Sequence, residues 1–200
     1  LGVLHALREC GLPVYNDARA IERSVDKSMT SLLLHAARVP TPPTWATESL
    51  AEAQRIVTRE SAAGHALVCK PLFGSQGKGL QRVGLVEGVH EPLPKLVSGL
   101  AYLQRFIEPV STPGFDWRVL VIGGRAVSAM RRISEHWIHN VAQGARVEAA
   151  PLTAELASLA ERAAQALDMD YAGVDLMPSA HGAPIQVIEV NGVAAWQGLQ

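Results

Sequence analysis

Residues 172–191 read AGVDLMPSAHGAPIQVIEVN, two short apolar runs on either side of SAHGAP. That pattern predicts a β-hairpin. A hairpin centred near Gly182 sets Asp175 opposite Glu189, and strand alternation puts Asn191 on the same face as Glu189. Two carboxylates and an amide oxygen then converge. Facing carboxylates repel unless a cation lies between them, and a hard ion such as Mg²⁺ prefers oxygen ligands while leaving positions for water and phosphate. Taken alone, the same pattern also suits a surface hairpin with solvated acids.

Upstream, strand ALVCKP (66–71) leads into the glycine-rich loop FGSQGKG (73–79) and a second strand, LQRVGLV (80–86). Gly74, Gly77 and Gly79, with Ser75 and Gln76, let backbone N–H groups approach phosphate oxygens, because glycine has no Cβ in the way. Lys70 stands on the strand before the loop and Lys78 within it. The GK-[ST] ending of a Walker A loop is absent, and so is the Rossmann G-x-G-x-x-G. A plain flexible hairpin stays open as the alternative; the lysine on the strand favours a phosphate lid.

LAYLQRFI (100–107), DWRVLVI (116–122) and RAVSAMRRI (125–133) read as three strands of an antiparallel sheet, the last two joined tightly at Gly123–Gly124. Asp116 and Arg118 share a face, and a two-residue turn there sets Arg131 opposite Asp116, with Arg132 beside it. An arginine near a nucleotide can neutralise charge on a transferring phosphoryl group; a cross-strand ion pair is the alternative. His136 and His139 flank Trp137 without metal-ligand spacing.

Helices frame these strands. LGVLHALREC opens the chain as an amphipathic helix closed by Gly11, followed by a short strand at Val14–Tyr15. Asp26 caps a helix over 27–38 that the proline-rich run at 41–43 stops. Ser49 and Glu52 have capping-box spacing, opening a helix with Leu50, Ala53, Ile56 and Val57 inward and Gly64 as its stop. Thr153 caps a helix to Leu167 with Leu156, Leu159, Ala160 and Ala163 on one stripe. Stretches 39–48 and 87–95 read as linkers. The fold class is therefore α+β.

The composition is that of a globular chain: 200 residues, 48% hydrophobic, 18% charged. A formal charge of −1 excludes a global field for nucleic acid or an anionic membrane. No apolar run is long enough to span a bilayer, so the expected localisation is cytoplasmic. Cys10 and Cys69 are too few for a disulfide framework or zinc site and read as buried or neutral thiols.

Six motifs in order, VYNDARAIERSVDKSMT, VCKPLFGSQGKGL, LQRFIE, DWRVLVIGG, RRISEHWIHN and GVDLM with QVIEVNG, make the chain resemble the ATP-grasp superfamily and, within it, the RimK-like carboxylate–amine ligases. The resemblance covers about Val14 to Asn191. It implies two lobes whose antiparallel sheets grip ATP: residues 1–20 as the tail of a preceding, largely missing N-terminal domain, then an ATP-grasp domain over 21–200. Within that domain it implies a central lobe with the lid at about 21–103 and a C-terminal lobe with the metal site at 104–200, truncated at its end.

The resemblance also assigns residues. Lys27 and Lys70 match the lysines on ATP phosphates, with Gly74, Ser75, Gln76 and Gly77 in the lid. Gln104, Arg105, Phe106 and Ile107 match the adenine segment, Asp116 a nucleotide-contacting acid, and Asn140 an asparagine beside the phosphates. Arg118 and Arg131 match catalytic arginines at the acyl phosphate, and Asp175, Glu189 and Asn191 the metal ligands.

The implied cofactors are ATP and Mg²⁺, with Mn²⁺ as a substitute, and the implied reaction joins a carboxylate to an amine through an acyl phosphate. The implied partners are glutamate or a similar amino acid and a carboxylate acceptor, either a small molecule or a carrier protein, with room for a homo-oligomer and no role for nucleic acid or membrane. EHWIHN looks more like the branch acting on amino-group carriers in lysine biosynthesis or on pterin-type cofactors than the protein-modifying branch. The NGVAAWQG tail departs from the usual NxSPG form. A catalytically silent nucleotide-binding fragment and a ligase of dipeptide or glutathione-synthetase type are the alternatives.

Overall fold

The computed structural model describes residues 1–74, 76–93, 99–179 and 183–194. Ser75, the turn at Gly182 and the tail from residue 195 lie outside the described residues, and so do the expectations placed on them. In chain order the elements are α1 (Gly2–Glu9), α2 (Ala18–Val25), α3 (Lys27–Ala36), β1 (Thr44–Thr47), α4 (Leu50–Ala62), β2 (Ala66–Lys70), β3 (Gln81–Val86), β4 (Val89–Glu91), β5 (Ala101–Arg105), β6 (Gly114–Ile122), β7 (Arg125–Ser134), β8 (Arg146–Ala150), α5 (Ala154–Ala166), β9 (Tyr171–Met177) and β10 (Gln186–Asn191).

Side-chain caps start four of the helices. Asp17 accepts from the Arg19 N–H, Asp26 from Ser28 and Met29, Ser49 from Glu52, and Thr153 from Leu156. Each satisfies N–H groups that a helix leaves unpaired, worth about 1 kcal/mol. Because Asp26 ends α2 and caps α3, the chain turns sharply there and Lys27 becomes the first helical residue.

The strands form two five-stranded antiparallel sheets, ordered β1-β5-β2-β3-β4 and β10-β9-β6-β7-β8. On the first, α4 packs Ala53, Ile56 and Val57 against Leu67, Val83, Ala101 and Leu103. On the second, α5 packs Leu156, Leu159, Ala160, Ala163 and Leu167 against Val119, Val121, Val174, Leu176 and Val190. Burying each such Leu or Val contributes roughly 1.5–3 kcal/mol, which anchors both sheets with their other faces free to line a cleft.

Several expectations are corrected. Val14 and Tyr15 form no strand, whereas residues 18–25, left unassigned, are helical. The stretches read as linkers contain β1 and β4, edge strands defined by their pairing with β5 and β3. Strand β8 was missed. Strand β5 pairs with β1 and β2, so it belongs to a different sheet from β6 and β7. Leu50 is exposed, since the first turn of α4 overhangs its core. Cys10 is exposed; Cys69 is half-buried, and burial pushes its thiol up. Ala20, Leu34 and Val39 are buried in the core of the second sheet although they precede residue 103.

Candidate functional site

Strand β9 lies between β10 and β6, and Asp175 has Glu189 as its register partner on one side and Arg118 on the other. The predicted pairing of Asp175 with Glu189 is present, helped by a bulge between Val187 and Glu189. Had the register of Val187 with Leu176 continued unbroken, Glu189 would have faced Val174. Asn191 pairs with Gly173, and its side-chain nitrogen lies 3.4 Å from Asp175 Oδ2.

Asp175 is the centre of a buried charge network. Arg118 donates from Nε to Oδ1 at 2.7 Å and from Nη2 to Oδ2 at 2.8 Å. Arg132 Nη2 stands 3.1 Å from the same Oδ2. Arg132 also donates to both oxygens of Asp116, at 2.7 and 2.6 Å. Burial alone would raise Asp175, but Arg118 and Arg132 hold it below the ordinary carboxylate range. For Asp116, burial wins and pushes the carboxyl up. Burial works against Arg132, yet Asp175 and Asp116 leave it raised.

The pairing predicted for Arg131 is corrected. Asp116 pairs with Arg132 and Trp117 with Arg131, because a bulge between Leu120 and Val121 shifts the register by one residue. A one-residue slip reverses the face of every side chain beyond it. Arg131 therefore lies on the opposite side, donating to Glu148 at 2.9 Å and stacking over Phe115 at 5.2 Å. The position expected of it belongs to Arg132. The adjacent pair Arg131–Arg132 was the available signal, since one of two neighbours must face the site in either register.

The first sheet supplies the opposing charge. Half-buried Lys70 donates to Gln104 Oε1 at 2.6 Å, and burial lowers its ammonium to about 8. Lys27 donates to the Gly74 carbonyl at 2.6 Å and lies 3.5 Å from Glu189 Oε1. The lid rests on the second lobe. Gln143 donates to the Gln76 carbonyl at 3.2 Å, and a Cβ on Gly77, where φ is +70°, would stand 2.7 Å from Asn140 Oδ1 and 2.8 Å from Ile138. Only glycine permits that approach.

Between the sheets runs a narrow, partly open cleft lined from both sheets. Val68, Leu80, Phe106, Ile107, Met177 and Ile188 line its apolar part, and Lys70, Asp175, Glu189 and Asn140 its polar part. A second, smaller space lies under the lid, with Lys27, Gly74, Gln76 and Gly77, and shares Lys70, Leu80, Asn140 and Glu189 with the first. The two form one groove, apolar at one end and cationic at the other.

One predicted contact has its charged end turned aside: the Arg105 guanidinium is held by Glu60 at 3.1 and 2.6 Å. Asp116 lines the cleft with both oxygens paired to Arg132. Trp137, edge-on to Phe106 at 5.9 Å, and His139 were not assigned although both line the cleft. His139 is 4% exposed, and burial together with Arg132 pushes its ring down to about 4, which keeps it neutral.

Among the described residues no three His, Cys, Asp or Glu side chains group as metal ligands. The nearest oxygen set is Asp175 and Glu189, whose carboxylates suit a hard divalent ion that keeps open positions, and Asn191 stands beside them with its amide nitrogen towards Asp175 and the Gly173 carbonyl. No helix among the described residues is long and apolar enough to cross a membrane.

A family model described as RimK-like ATP-grasp domain matches residues 24–200. The tetrahydromethanopterin:alpha-L-glutamate ligase of Methanocaldococcus jannaschii is 38% identical over 194 residues, covering 94% of this chain and 65% of that protein. A protein of Legionella pneumophila named "Probable alpha-L-glutamate ligase" is 30% identical over 206 residues, covering 99% and 65%. The chain thus spans about 65% of the length of these relatives. Among solved structures, the ATP-grasp ligase PsnB with minimal precursor, Mg and ADP matches with TM-score 0.73 and 25% identity, over 98% of this chain and 59% of that one. D-alanine–D-alanine ligase of Bacillus anthracis matches with TM-score 0.68 and 17% identity, over 95% and 64%. The α+β architecture is the ATP-grasp fold of these structures.

Proposed function

This chain belongs to the RimK-like ATP-grasp family, and from that premise we propose that it is the nucleotide-binding and catalytic part of an ATP-dependent carboxylate–amine ligase. The observation that carries the reading is the facing of Asp175 and Glu189 against Lys27 and Lys70 in one groove, with Asn191 beside Asp175 on the neighbouring strand.

In this reading the apolar end, with Phe106 and Ile107, holds the base, and Lys27, Lys70, Asn140 and the lid hold the phosphates. Asp175, Glu189 and Asn191 would hold Mg²⁺, or Mn²⁺ in its place, which when bound offsets phosphate charge. A substrate carboxylate oxygen attacks the γ-phosphorus and ADP leaves with the electron pair of the broken bond. An amine then attacks the acyl carbon, phosphate departs, and the nitrogen gives its proton to solvent. In this reading Arg118 and Arg132, rather than Arg131, balance charge on the transferring group.

The amine we assign is glutamate and the acceptor a small pterin-type molecule or a carrier protein. The name of the Methanocaldococcus relative supports the first of these acceptors. The location we assign is cytoplasmic. The division that suits this reading is a lid lobe to about residue 103 and a metal lobe beyond it, with Ala20, Leu34 and Val39 of the earlier segment packed into the metal lobe.

The test is ADP release from Mg-ATP with glutamate and a panel of carboxylates, with products read by mass spectrometry. A glutamyl product is the expected outcome, and absence of Mg-ATP binding would reject the reading. A second reading, a nucleotide-binding module that is silent without further residues, draws on the coverage of about 65% of those relatives. Nucleotide binding without turnover would favour it.

A further inference from the structure

Each carboxylate of the proposed ion site already carries a side-chain cation. Arg118 holds both oxygens of Asp175, and Lys27 lies 3.5 Å from Glu189. Both cations are also expected at phosphates or the transferring group. Asp175 Oδ2 is crowded as well, with Arg118, Arg132 and Asn191 donors at 2.8, 3.1 and 3.4 Å. A carboxylate oxygen offers two lone pairs, and a divalent ion bound there would sit against the guanidinium charge.

The two arginines differ in how they are tied. Arg132 is 3% exposed and locked to Asp116 through two bonds, whereas Arg118 is 12% exposed and its hydrogen bonds among the described residues all go to Asp175. Arg118 is the one that can leave. Lys27 is similarly placed at the head of α3, touching both the lid carbonyl of Gly74 and Glu189.

We propose that Arg118 and Lys27 are resident counter-cations of the ion-binding carboxylates, displaced when a divalent ion and a triphosphate bind together. The ion takes Asp175 and Glu189 while the phosphates take the two released cations. Neither ligand alone completes the exchange, so each strengthens the other's binding by the same factor. Lys27 ties this exchange to the lid, since giving up Glu189 leaves it between Gly74 and the phosphates. The proposal rests on the ligase reading and deepens it, adding a coupling between the two ligands of the site.

The test measures Mn²⁺ affinity by electron paramagnetic resonance, with and without a non-hydrolysable ATP analogue, for the native chain, Arg118→Gln and Arg118→Lys. Native protein is expected to bind Mn²⁺ weakly alone and roughly 10- to 100-fold more tightly with the analogue. In Arg118→Gln, whose Asp175 keeps Arg132, free Mn²⁺ affinity rises about tenfold or more and the mutual strengthening shrinks by the same factor. Arg118→Lys, which keeps the charge but loses the fork, falls between. Mn²⁺ affinity in Arg118→Gln at or below the native value overturns the exchange while leaving the ligase reading intact. Failure of the native chain to bind the analogue at any Mn²⁺ concentration overturns the ligase reading itself. Should Arg118→Gln fail to fold by circular dichroism, the ¹⁵N resonance of Arg118 Nε in native protein decides. It is expected to move when Mg²⁺ and analogue are both present, and an unmoved resonance overturns the exchange.

Discussion

Lys70 and Asp175 face the same cleft from different sheets, and their surroundings are opposite in kind. Lys70 has the neutral oxygen of Gln104 as its hydrogen-bond partner, and burial has already loosened its proton. Asp175 lies in a closed network of two carboxylates and two guanidiniums, which holds it ionised. The lobe with the glycine lid leaves a cation under-compensated and ready for an incoming anion. The lobe with the larger core balances its charges internally, so it must exchange partners before it binds anything. A buried charge is costly unless paired, and the two lobes resolve that cost differently.

The largest expected effect breaks the paired side. Arg132→Met leaves Asp116 and Asp175 buried without their shared cation, and a loss of about 3–5 kcal/mol is expected in urea unfolding. A loss near zero would mean that the network is not closed in solution. Next, Glu189→Gln removes a ligand charge at nearly constant volume. Mg-nucleotide affinity is expected to fall about tenfold or more in calorimetry, with stability unchanged within about 0.5 kcal/mol because the Lys27 pair is long, at 3.5 Å.

The unpaired side gives a pH signature. Burial pushes the Lys70 ammonium down to about 8 in the folded chain, against the ordinary lysine value of 10.5 in the unfolded one. Between those values the unfolded chain binds more protons, so the contribution of Lys70 to stability rises with pH over that window. Nucleotide affinity moves the other way, weakening by up to about tenfold per pH unit above 8. Parallel trends in unfolding and binding would refute the assignment. The smallest effect is at the contact of the lobes. Gly77→Ala brings a Cβ against Asn140 and Ile138 and strains a residue at φ +70°, so nucleotide dissociation is expected to quicken several-fold in stopped flow with little change in unfolding.

Local chemistry was readable where one residue decides the outcome. Asp26, Ser49 and Thr153 announced their helices because a side-chain oxygen must satisfy the first N–H groups. The stripe of α5 and the glycines of the lid were equally legible, and turn arithmetic placed Asp175 opposite Glu189. The same arithmetic failed for Arg131, where a bulge beside Val121 flipped the face. Strand β1 was hidden among prolines because an edge strand needs pairing on one side and little of its own propensity. The sheet membership of β5 had no local signal at all, since antiparallel partners distant in sequence look alike from either side.

Amino-acid order therefore determined the helices other than α2, the glycine loop and the facing of Asp175 with Glu189, because caps, alternation and glycine's missing Cβ act within a few residues. Tertiary structure alone decided that Arg132 and not Arg131 joins the site, that Arg105 turns to Glu60, and that Arg118 occupies Asp175. Those outcomes depend on bulges and on which strands become neighbours, and it is long-range burial that selects among registers with equal local energy.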